Sequence, residues 1–141
     1  MTPQATALVR ASWAKIKPLA EPTARHFYDR LFALYPETQP LFQADMAEQH
    51  RKFAAMLDTV VDALDDLDAL LPALEDLGAQ HACYGVTDPD YDKMASALLW
   101  SLSEALGEDF TPEVRAAWSE VYSAVAEAMQ EGAAAQRAPC P

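Results

Sequence analysis

Proline punctuation constrains this 141-residue chain more than any other feature. Pro22, Pro72, Pro89 and Pro112 each stand where a helix would begin, in the first turn, where a missing N–H costs nothing. Pro36 and Pro40 bracket a short break in which only a turn or a single tight helical turn fits. Between these marks apolar residues recur three and four apart, the period of an α-helix with one buried face. No stretch alternates as a half-buried strand does, and no internal repeat appears. The pieces are unequal in length, which disfavours an up-and-down four-helix bundle. They predict an all-α fold of six substantial helices and a short one.

Taken in order, the first helix spans 4–19 with Leu8, Val9, Ser12, Trp13, Ile16 and Leu19 on one face. The second runs from Pro22 to about Tyr35, with Tyr28, Leu31, Phe32 and Tyr35 inside and His26 at an edge. After the break, where Leu41 and Phe42 point inward, Asp45 and Glu48 have the spacing of a capping box. The helix they start carries Gln49, Phe53, Met56, Leu57, Val60, Val61, Leu64 and Leu67 on its stripe, and helix continues through the acidic run DALDDLDAL. The fourth begins at Pro72. Thr87-Asp88-Pro89 opens the fifth, which Gly107 ends. Thr111-Pro112 opens the sixth, which Gly132 closes. Residues 1–134 form one domain and 135–141 a flexible tail.

Apolar residues make up 51% of the chain, enough for a real core at this length. A net charge of −12 excludes nucleic acid, whose phosphates need clustered Lys and Arg, and argues against an anionic membrane surface. The opening MTPQATALVRASW lacks the basic head and apolar run of a leader, and no stretch approaches the ~20 apolar residues of a membrane span. Cys83 and Cys140 form no CxxC or CxxCH pattern. They read as reduced thiols, Cys83 as a packing residue, in a cytoplasmic setting.

The stretch LLPALEDLGAQHACYGV, residues 70–86, carries the chemistry. Leu70, Leu74, Leu77 and His81 share one helical stripe, so a histidine ends an otherwise core-facing row, with Gly85 placed to stop the helix. An inward imidazole needs a partner. On this stretch alone, both a backbone carbonyl and a metal satisfy that need.

The wider pattern resembles the globin family over roughly residues 5–131. It is carried by Trp13, by YDRLFALYP with Pro36, by Phe42 six residues later, by QHRKF at 49–53, by LGAQHACYGV at 77–86 and by AAWSEVY at 116–122. The likeness is to single-domain bacterial globins related to flavohaemoglobins. It implies about seven helices in a three-over-three arrangement around one haem b (iron protoporphyrin IX), with His81 as proximal iron ligand. It also places Leu74, Leu77, Val86 and Leu98 against the ring, Phe42 on its face and Lys52 near a propionate.

On the distal side the resemblance places Tyr28 and Gln49 where a ligand would sit, with Phe53 as their apolar neighbour. A buried phenol O–H and an amide N–H aimed at the charge an oxygen ligand acquires contribute about 1–3 kcal/mol each, which implies tight binding and slow release. His50 adjoins Gln49 but is rotated about 100° off the Phe53 stripe. On the proximal side Tyr91, ten residues past His81, matches a tyrosine that polarises the ligand in flavohaemoglobins. The glutamate of that pattern does not carry over. Its place is Ala133, and Glu131 lies two residues short.

Three functions compete. The first is reversible binding of oxygen and other diatomic gases (CO, NO) for storage, delivery or sensing. The second is nitric oxide dioxygenation, hence detoxification, with electrons from a separate reductase. The third is a non-haem helical module with His81 satisfied in its core. A monomer or weak dimer is expected.

Overall fold

The helix starts are built by the side chains that the sequence offers for them. In the computed structural model, which describes residues 2–42 and 45–135, α1 (Pro3–Ile16) is capped by Thr2, whose hydroxyl accepts from the Ala5 N–H at 3.1 Å. A 3-10 turn, Lys17–Leu19, leads into α2 (Ala20–Leu34). Pro36–Leu41 form a second 3-10 segment. Fully buried Thr38 locks it by donating to the Tyr35 carbonyl at 2.7 Å. Asp45 caps α3 (Met46–Asp62) through the Ala47 N–H, while Glu48 pairs with Lys52 instead of closing a capping box.

α3 ends earlier than its apolar stripe suggests. Asp62, Asp65, Asp66 and Asp68 crowd the point where the helix dipole leaves partial negative charge, so the chain turns at Ala63 and resumes as a 3-10 segment, Leu67–Leu70. Leu64 still reaches the core, from the turn. α4 (Leu71–Cys83) has Pro72 in its first turn and ends before Gly85, whose φ of +96° suits glycine. The Thr87 and Asp90 side chains close a capping box on α5 (Asp88–Leu106), which Gly107 ends at φ +56°. α6 (Pro112–Ala134) is capped by Thr111.

Gly132 does not close α6 as expected. It lies inside the helix, where a Cβ would stand 2.0 Å from the Glu75 carbonyl oxygen of α4. Gly78 is the reciprocal position, its Cβ falling 1.8 Å from the Met129 carbonyl oxygen. Two glycines therefore let α4 and α6 touch backbone to backbone. The expected tail falls almost wholly at 136–141, outside the described residues, as does Cys140.

The main core joins α1, α2, α3, α5 and α6 around Val9, Leu31, Leu102 and Trp118. Trp118 meets Trp13 edge-on at 6.2 Å and donates its indole N–H to the Ser12 hydroxyl at 2.8 Å. Trp13 donates to Asp58 of α3 at 2.9 Å, so one aromatic pair ties three helices. A second, smaller core gathers Leu74, Tyr91, Ala126, Ala128 and Met129, with Leu77 and Val86 packed against it. The architecture is all-α, as expected. Among the described residues no helix is long and apolar enough to cross a membrane.

Candidate functional site

Where α3, α4, α5 and α6 converge they leave an apolar cavity of about 90 Å³. Met56, Leu57 and Val60 of α3 form one wall, Met94 and Leu98 of α5 another, and Val121, Val125 and Met129 of α6 a third. Four polar side chains reach this apolar surface: His81, Tyr91, Trp118 and Tyr122. Two are already satisfied. The Trp118 indole bonds Ser12, and the Tyr122 hydroxyl donates to the Tyr91 carbonyl at 2.6 Å. The imidazole of His81 and the hydroxyl of Tyr91 remain for an occupant.

His81 is oriented by its own helix. Its Nδ1 lies 2.8 Å from the Leu77 carbonyl oxygen, which can only accept, so Nδ1 carries the proton and Nε2 the lone pair. Burial holds the imidazole pKa below its ordinary value, against the opposing pull of the Leu77 bond. The ring is therefore neutral near pH 7, the state that binds metal. Among the described residues no group of three or more His, Cys, Asp or Glu side chains lies together.

Tyr91 is buried, and its hydroxyl has no hydrogen-bond partner among the described residues. Burial, then the charge of Asp88, raises its pKa. Glu131 lies exposed and does not reach it. An orphaned hydroxyl in a cavity wall marks a place where an occupant's polar atom is accommodated.

A second constellation lies between α2 and α3. Gln49 donates from Nε2 to the Tyr28 hydroxyl at 3.0 Å. Burial pushes the Tyr28 pKa up to about 12, the Gln49 bond opposing it, so the phenol keeps its proton, and that proton remains available to donate. Phe42 meets the Tyr28 ring edge-on at 5.2 Å, and Phe53 does so at 5.7 Å. Phe53 also stacks on Phe27 at 4.4 Å. His50 stacks on Tyr28 from another side, at 5.5 Å, and belongs to a separate outer cleft.

Of the residues singled out in the sequence, His81, Tyr91 and Leu98 line the cavity itself. Leu74, Leu77 and Val86 pack around Tyr91 in the smaller core. Tyr28, Phe42, Gln49 and Phe53 form the aromatic and amide group just described, which does not border the cavity. Lys52 is exposed and paired with Glu48 at 3.4 Å. The cavity walls contributed by Met56, Met94, Tyr122, Val125 and Met129 carried no separate signal, because a cavity wall and a core stripe have the same periodicity. One expectation is overturned: Cys83 is disulfide-bonded, so the reducing compartment inferred from reduced thiols loses its footing. Cys83 sits in no short cysteine motif, so its local spacing carries no sign of that bond.

The chain matches the globin family over residues 25–129. It belongs to that family. Flavohemoproteins of Bordetella parapertussis and Bordetella bronchiseptica are each 32% identical to this globin over 130 residues, covering 90% of it and 32% of their own length. The globin thus spans about a third of those relatives. The neuroglobin of Chaenocephalus aceratus is 31% identical over 139 residues, covering 89% of this chain and 87% of that one. Family membership supports a haem-binding globin.

Proposed function

We propose that this globin holds haem b through Nε2 of His81 and binds oxygen tightly and reversibly, with Tyr28 and Gln49 as the hydrogen-bonding pair on the distal side. The 3.0 Å bond between Gln49 and Tyr28 supports this reading most directly. It spends an amide proton on the phenol oxygen and so leaves the phenol proton to a ligand. Haem, when bound, supplies an iron centre that takes a diatomic gas without net chemistry. The protein's part is then to hold the ring, exclude water and present donors. Leu74, Leu77, Val86, Leu98, Phe42 and Phe53 supply the apolar surface. Lys52 exchanges Glu48 for a propionate, since an exposed i,i+4 ion pair is worth only ~0.3–0.5 kcal/mol. Tyr91 offers its unpaired hydroxyl from the cavity wall.

Oxygen release should quicken in Tyr28→Phe and in Gln49→Leu. A hydrogen bond worth about 1.5–3 kcal/mol to a charged acceptor corresponds to roughly tenfold to a hundredfold in off-rate. Off-rates unchanged in both variants would remove the distal pair from the account.

The likeness to flavohemoproteins favours a second reading, nitric oxide dioxygenation with a separate reductase. Stoichiometric nitrate from NO and oxygen, sustained only when a reductase is added, would establish it.

A further inference from the structure

The outer cleft between the first turns of α2 and α3 is lined by Glu21, Pro22, Arg25, Ala47, His50 and Arg51, with a volume of about 270 Å³. We propose that it is an anion site, shaped for a phosphate group gripped between Arg25 and Arg51 with His50 beside it.

Carboxylates outnumber basic residues 22 to 10 in this chain, so a cation finds a partner easily. All four lysines and Arg10 do so, at 3.1–3.4 Å. Arg30 lies over the Trp100 ring. Arg25, Arg51 and Arg115 are the described arginines with neither an ion pair nor an aromatic partner, and two of these three share one concavity. Glu21 stands four residues before Arg25, where a helical ion pair usually forms, yet none does. Two guanidinium groups facing one cleft repel each other until an anion lies between them. A single carboxylate is satisfied by one arginine fork, whereas a tetrahedral phosphate has oxygens enough for two forks and an imidazole. Glu21 at the rim weakens the site and gives the test a variant expected to gain.

The cleft is also joined to the interior. The His50 ring that lines it stacks on Tyr28 at 5.5 Å, with 28° between the planes. A phosphate there is reported by His50 without any change at the cavity, so this inference stands or falls apart from the oxygen-binding reading.

The experiment is a titration of the haem-loaded carbonmonoxy protein with inorganic phosphate at constant ionic strength, read by the His50 ring resonances. Sulfate and acetate serve as comparison anions. Saturable shifts are expected with phosphate, weaker ones with sulfate, and none of comparable affinity with acetate. Arg25→Gln and Arg51→Gln should each weaken binding by roughly tenfold, and Glu21→Gln should tighten it. All three residues are exposed, so the variants fold. Shifts that never saturate, or the same affinity in the arginine variants as in the parent, would overturn the proposal. Acetate binding as tightly as phosphate would overturn its chemistry. Full loss of phosphate shifts on replacing Tyr28 alone, with the arginines intact, would also overturn it.

Discussion

Replacing Gly78 by alanine sets two effects of opposite sign against each other. Alanine in a helix interior is worth about 0.5–1 kcal/mol more than glycine, so propensity alone predicts a more stable protein. Packing predicts the reverse. The new Cβ would stand 1.8 Å from the Met129 carbonyl oxygen and 2.4 Å from its carbon, both backbone atoms that cannot rotate away. Ordinary contact between such atoms is near 3.5 Å, so α4 and α6 must part by roughly 1.5 Å. Parting them loosens the smaller core around Leu74, Tyr91 and Met129. Overpacking of this kind costs about 1–3 kcal/mol, which exceeds the propensity gain, and the net is a loss of up to ~2 kcal/mol. At this chain length that lowers the melting temperature by roughly 3 °C per kcal/mol. Urea unfolding of the haem-loaded protein would read the change as a lower midpoint at unchanged slope. Gly132→Ala should behave alike, because its Cβ meets the Glu75 carbonyl oxygen at 2.0 Å. Gly107→Ala is the contrast, since nothing lies within 4 Å of its Cβ and only its φ of +56° resists. A Gly78→Ala protein as stable as the parent, or more so, would mean that α4 and α6 do not need glycine at their contact. So would a Gly132→Ala protein that melts higher.

Three further outcomes follow from the packing and charge already described. Burial pushes the Asp90 pKa up, but the Thr87 N–H and hydroxyl at 2.8 and 3.0 Å and Lys93 at 3.3 Å outweigh it, leaving the group below its ordinary value of 3.8. A lowered folded pKa means stability that is present above the ordinary value and lost as pH falls through the folded one. Asp90→Asn should therefore flatten the acid limb of a stability-versus-pH curve as pH falls below the ordinary value of 3.8, and an unchanged limb would count against the capping box. Trp118→Phe should cost about 1–3 kcal/mol in denaturant titration by removing a buried donor from Ser12. Leu102→Ala, at a side chain with no exposed surface, should cost about 2–5 kcal/mol by the same measurement.

Helix starts were legible because capping and proline are local: Thr87 with Asp90, Thr111 with Pro112 and Asp45 all act within one turn of themselves. Where the outcome depended on another helix or on accumulated charge, the sequence misled. Leu64 and Leu67 extend the α3 stripe in sequence, yet four nearby aspartates end the helix at Asp62. Gly132 looks like a stop signal, and only the approach of Glu75 from α4 explains it as a packing residue. At the site, the direction of His81 was readable from its stripe, and its Leu77 bond is the ordinary helical i−4 contact. The pairing of Gln49 with Tyr28 spans 21 residues and two helices, and periodicity carries no such information. The missing partner of Tyr91 was in part legible, because Ala133 stands where the resemblance expects a glutamate on the last helix.

The proposed haem sits on His81 with an open sixth position. The optical spectrum of the dithionite-reduced protein, before and after carbon monoxide, tests it most directly. A single broad visible band that sharpens with carbon monoxide is the predicted result, the mark of five-coordinate iron. Two sharp bands before carbon monoxide would contradict it by revealing an internal sixth ligand, with His50 the first residue to replace. An absence of any haem band after added hemin would contradict it outright.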